Sequence, residues 1–160
     1  MKSYFYPTQP EWFESLLEDW KNSGKVTLSF PFLWFAPTTL PTDKTEKFWM
    51  YLYYTKSKTE ILSLQQVVKF RVRVIAHDFS VIENASIHNR IDTQIDGKVW
   101  FQCDIVEEIR RIDGNYLMAT DFKHSKPEVE LLQSIRNSIA PVDCIASIVT
   151  VQTTQRFINS

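Results

Sequence analysis

The stretch Gln66-Val-Val-Lys-Phe-Arg-Val-Arg-Val-Ile75 alternates with a period of two. Val68, Phe70, Val72 and Val74 fall on one side of an extended chain, and Lys69, Arg71 and Arg73 on the other. β-Branched and aromatic residues in that pattern predict a half-buried strand. The cations would stand about 7 Å apart from neighbour to neighbour. That is the scale of phosphates along one nucleic-acid strand, so the face is a candidate backbone track. The plainer reading, a solvated face of an antiparallel sheet, accounts for the same alternation.

Before this strand come Ile61-Leu-Ser-Leu, a polar turn at Thr55-Lys-Ser-Lys-Thr59, and a second strand from Phe48 to Tyr54 that is aromatic on both faces. After it, residues 77 to 89 carry no clear pattern, and Asp96-Gly97 predicts a hairpin between Ile91–Ile95 and Val99–Ile109. In the longer arm Val99, Phe101, Cys103 and Ile105 would share a face, with Trp100, Gln102, Asp104 and Val106 opposite. Asp113-Gly114-Asn115 is a further turn.

Further out, Thr8 and Glu11 make a capping box with Pro10 in the first turn. The helix they open buries Trp12, Phe13, Leu16, Leu17 and Trp20, and Gly24 stops it. Lys25 to Ala36 reads as strand, interrupted at Pro31. Thr38 to Lys47 is a loop of about ten residues, long enough for a functional role. Ser125 to Glu128 opens a second helix running to Asn137 with Val129, Leu132 and Ile135 buried, and Ile145 to Gln152 is a closing strand. The expected fold is α+β in one domain over 1–160: a mixed or antiparallel curled sheet, or a small β-barrel, flanked by two or more helices.

Composition narrows the function. Of 160 residues only three are glycine, while aromatics reach 14%, so glycine-rich phosphate loops give way to a bulky core or an aromatic-lined pocket. A net charge of −1 provides no global field for polyanions. Cys103 and Cys144 have no metal spacing and read as thiols of a cytoplasmic protein. No signal peptide and no apolar run of about 20 residues is visible. No cofactor, metal or membrane partner is expected. The pair His77-Asp78 would point to opposite faces of a strand. Asp104, Glu107 and Glu108 could pair as carboxylates. Trp34, Trp49, Tyr51, Tyr53, Tyr54 and Trp100 could contribute to a stacking platform, although core filling explains any single one.

Four pieces of the chain resemble the EVE domain of the PUA-like superfamily. They are Leu52-Tyr-Tyr-Thr-Lys56, Val67 to Ile75, Val99 to Ile109, and Asp121-Phe-Lys123 through Pro127-Glu128 on to Arg136-Asn-Ser138-Ile-Ala-Pro141-Val142. The last is the most specific, and together they span about two thirds of the chain. The chain departs from the family at Thr45-Glu46-Lys47, where members place a Gly-Asp turn, and in its opening helix and Pro37–Lys47 loop. Related ASCH domains share a similar barrel. The resemblance implies a nucleic-acid-binding module, DNA or RNA, with a modified base flipped into an aromatic pocket. In that reading Trp34, Tyr53 and Tyr54 stack, Thr55, Ser57 and Ser138 bond base edges, and Lys56, Arg71, Arg73 and Arg136 hold phosphates. Two alternatives stand beside it. One is an ASCH-like ribonuclease or amidohydrolase using Lys56 or Lys69 with Glu107 or Glu108. The other is a protein-interaction domain displaying Phe32 to Phe35.

Overall fold

A computed structural model describes residues 2–8, 10–31, 40–54, 66–79, 87–88, 98–125, 140–146 and 148–150. The elements are β1 (Lys2–Thr8), α1 (Pro10–Ser23), β2 (Val26–Pro31), β3 (Phe48–Tyr54), β4 (Val67–Asp78), β5 (Ile87–His88), β6 (Lys98–Arg111), β7 (Leu117–Met118), β8 (Phe122–His124), β9 (Ala140–Cys144) and β10 (Ile148–Thr150). A 3-10 turn at Ala119–Asp121 separates β7 from β8.

The strands follow the order β5-β2-β6-β4-β3-β1-β9-β8, with β10 on β6 and β7 on β4. β1 runs parallel to β3 and β2 parallel to β5, while the other pairings are antiparallel. The sheet is therefore mixed, as expected. Among the described residues it does not close into a barrel, the second of the two expected forms. Its terminal strands, β5 and β8, offer two and three residues and do not pair with each other among the described residues. One helix is described, and the second expected helix falls on residues outside the described set, as do Ile91–Ile95 of the expected hairpin.

Both faces of the sheet are packed. On β3, Phe48, Met50 and Leu52 enter a first core, and Trp49, Tyr51 and Tyr53 line a second. β1 repeats the division, with Tyr4 and Tyr6 in the first core and Phe5 in the second. Two aromatic-lined faces are what a central strand covered on both sides requires. Each ring taken fully out of water contributes on the order of 2–3 kcal/mol. Helix α1 covers the first core through Leu16 and Trp20, and Trp20 Nε1–H donates to the Asp104 carbonyl at 2.8 Å. Phe122 and Val142 close the second core, with the Phe122 ring tilted against Phe5 at 4.4 Å and edge-to-face with Tyr51 at 4.9 Å between ring centres.

Three register shifts interrupt β4 and its partners, one of them between Val74 and Ala76, and the other two reset the alternation. The β4–β6 register shifts between Arg73 and Val74, where Asp104 is the extra residue. Past that bulge Val106, not Ile105, enters the first core. A shift between Leu52 and Tyr53 places Val68 beside Tyr53 in the second core, away from Phe70, Val72 and Val74.

Candidate functional site

Strand register builds the principal cluster. Tyr51 on β3 and Glu107 on β6 both lie opposite Arg71 on β4. Their side chains share the second-core face. Arg71 Nε–H donates to Glu107 Oε1 at 2.5 Å, and its Nη1 donates to the Tyr51 hydroxyl at 3.3 Å. The guanidinium carbon sits 3.8 Å from the centre of the Trp49 ring. The Arg71 and Glu107 side chains are 16% and 6% exposed. Three fixed neighbours leave this guanidinium little freedom, and an indole face is its preferred aromatic partner. Burial raises the Tyr51 hydroxyl pKa, which the Arg71 hydrogen bond partly offsets, so Tyr51 stays protonated.

Arg73 forms a two-pronged pair with Asp104, Nε to Oδ1 at 2.9 Å and Nη2 to Oδ2 at 2.5 Å. The bond to Arg73 holds the Asp104 carboxyl below its ordinary value. Lys69 Nζ lies 4.7 Å over the Tyr116 ring, which the Arg110 guanidinium also approaches at 3.9 Å. The three cations of the strand therefore meet three different environments within the protein. Glu107 and Glu108 also part company. Glu108 accepts from the Tyr116 hydroxyl at 3.1 Å and pairs with Arg110 at 3.2 Å, while Glu107 faces Arg71.

Tyr53 is fully buried, tilted against Phe5 at 5.2 Å, and burial raises its hydroxyl pKa. Its ring serves the second core in this structure. Trp34, Thr55, Lys56, Ser57, Arg136 and Ser138 lie outside the described residues, as do Phe32 to Phe35. So does the side chain of Tyr54, whose backbone ends β3. Sequence reasoning named Trp49, Tyr51, Arg71 and Glu107 separately, in lists of aromatics, cations and carboxylates. It did not join them, because only the register puts residues 51, 71 and 107 side by side.

A further pair was not anticipated. Arg111 Nη1 donates to Asp121 Oδ1 at 2.5 Å, and Asp121 Oδ2 accepts from the Met118 amide at 2.9 Å. This ties the end of β6 to the 3-10 turn beneath the second core. Among the described residues no group of three or more His, Cys, Asp or Glu is placed to hold a metal ion. No described helix is long and apolar enough to cross a membrane.

No protein-family model matches this chain, and no curated protein matches it in sequence. Among solved structures it is similar to the crystal structure of a mutant ZmASCH protein from Zymomonas mobilis, at 11% identity and a TM-score of 0.44. That likeness covers 99% of this chain and 95% of the other. Similarity of that size assigns no family to the chain.

Proposed function

We propose that this protein is a nucleic-acid-binding domain that seats one base, in the sharper form a modified base, against the Trp49–Arg71–Glu107 cluster. The observation that carries the reading is the guanidinium of Arg71 held over Trp49 and locked to Glu107. Such a unit combines a stacking surface, a donor and an acceptor. A base edge needs the same three things. A base added to a stack of this kind gains on the order of 1–3 kcal/mol. Flipping a base out of a duplex costs a few kcal/mol, so stacking and edge bonds together can meet it.

Because Arg71 and Glu107 neutralise one another, the cluster is suited to selecting a base and contributes little to attracting a polyanion. Phosphate contacts then fall to Lys56, Arg73 and Arg136. Arg73 would exchange part of its bond with Asp104 for a phosphate oxygen. Trp34 and Tyr54 extend the stack in this reading, with Thr55, Ser57 and Ser138 on base edges and Tyr53 supporting from the core.

Fluorescence anisotropy with labelled single- and double-stranded DNA and RNA, with and without modified cytosines, at two salt concentrations, tests the proposal. The expected result is base-selective binding that Glu107→Gln weakens by about tenfold, the equivalent of about 1.4 kcal/mol. Trp49→Ala should remove the selectivity while leaving any salt-sensitive phosphate contribution. Absence of salt-sensitive binding to every probe overturns the proposal.

A further inference from the structure

We propose that His77 is a proton-sensitive latch fastening the segment 40–47 to the end of β4. Near the C-terminal end of β4 the backbone N–H of His77 donates to the Lys44 carbonyl at 2.9 Å. The imidazole Nε2 lies 3.1 Å from the Pro41 carbonyl. A carbonyl only accepts, so Nε2 carries the hydrogen and Nδ1 is the bare nitrogen of a neutral ring. His77 is 1% exposed, and Nδ1 has no hydrogen-bond partner among the described residues. The ring is enclosed by Phe48, Phe79 and Phe101, with centroids 5.7, 6.3 and 6.2 Å away. Outside this cage Lys44 Nζ pairs with Asp78 Oδ1 at 2.7 Å. One loop is thus held at three points by two consecutive strand residues.

A bare lone pair among phenyl rings costs less than an N–H without an acceptor, and far less than an unpaired cation. Protonation would place both at Nδ1. The charged groups facing the ring are Asp43 and Lys44 from the loop and Asp78 from β4. Desolvation disfavours the cation most, the Pro41 carbonyl and the two carboxylates favour it and Lys44 opposes it; desolvation prevails and holds the imidazole below its ordinary value. Acid therefore works against the latched arrangement. The loop leads through Lys47 into β3, which carries Phe48 and Trp49.

Amide hydrogen exchange followed by NMR, corrected for intrinsic rates, tests the latch on the whole chain. The His77 amide reports the loop bond, and the Ala119 amide, bonded to the Gln66 carbonyl at 2.9 Å, reports a site away from it. His77 protection should fall by up to about tenfold per pH unit from about 6.5 down to the lower folded value and level off beneath it, while Ala119 protection holds. His77→Gln keeps a donor at the Nε2 position and cannot take up a proton, so its protection should not depend on pH. Equal losses at both amides, no loss at either, or an unchanged acid response in the variant would overturn the latch. If His77→Gln does not fold, the two amides of the wild-type chain decide the matter alone.

Discussion

Arg71 and Glu107 are direct cross-strand partners on β4 and β6, and their side chains meet at 2.5 Å with little access to solvent. Two charges in that position cost several kcal/mol to desolvate, which their attraction and the Tyr51 and Trp49 contacts offset. Truncating either partner leaves the other charged and buried.

Glu107→Ala is therefore expected to lower unfolding free energy by about 3–5 kcal/mol. The double change Arg71→Met with Glu107→Leu should cost much less, since no charge is stranded. Urea denaturation of Glu107→Ala, of the singles Arg71→Met and Glu107→Leu, and of their double measures these costs and closes the cycle. A Glu107→Ala variant as stable as wild type would mean that water reaches Arg71 freely.

The Arg73–Asp104 pair predicts an acid response of definite sign. Asp104 is held below its ordinary value in the folded protein, first by the Arg73 hydrogen bond. Its stabilisation is complete above the unfolded value, near pH 4, and disappears as pH falls through the lower folded value. Asp104→Asn should cost about 1–2 kcal/mol at neutral pH, allowing for the partial exposure of both side chains. The difference from wild type should close below about pH 4, as read from denaturation midpoints across pH.

Much of the scaffold is legible in local pattern. Pro10 and Gly24 bound α1, and the alternation through Val74 places β4, because turn chemistry and periodicity act within a few residues, whereas Thr8, expected to cap the helix, ends β1 opposite Tyr54. β1 is missed: Pro7 and the run Tyr4-Phe5-Tyr6 give no alternation, since rings on both sides of the strand enter different cores. The swap of Ile105 for Val106 is also missed, because a bulge at Asp104 is set by the partner strand and by the Arg73 and Trp20 bonds. The site is the least legible part. Residues 49, 51, 71 and 107 belong to three strands, and no spacing within one segment encodes their meeting.

Gly114 supplies a test of turn chemistry. It stands at φ +88 in the turn between β6 and β7, where its N–H donates to the Arg111 carbonyl at 2.9 Å. A methyl group there would meet nothing within 4 Å, so the cost of Gly114→Ala is one of backbone conformation alone. About 1–2 kcal/mol of destabilisation is expected. Gly114→Asn, which tolerates the left-handed region better, should recover part of it. Thermal unfolding of the two variants distinguishes this from a packing defect, which would make Asn the worse replacement.

The two cysteines should report the two cores separately. Cys103 is fully buried in the first core, and burial raises its thiol pKa far above the ordinary value. Cys144 is half-buried at the margin of the second core, 3.2 Å from the Ala146 carbonyl, with its thiol raised less by burial. The thiolate is the reacting form, so both should be slow toward iodoacetamide at neutral pH. Cys144 should nevertheless react in the native state, by fluctuations of the β9 margin, while Cys103 waits for global opening. Mass spectrometry after timed labelling should show single modification at Cys144 first, with Cys103 modified at a rate that tracks urea-induced unfolding. Early modification of Cys103 would show that α1, which covers that core through Trp20 and Leu16, opens independently of the sheet.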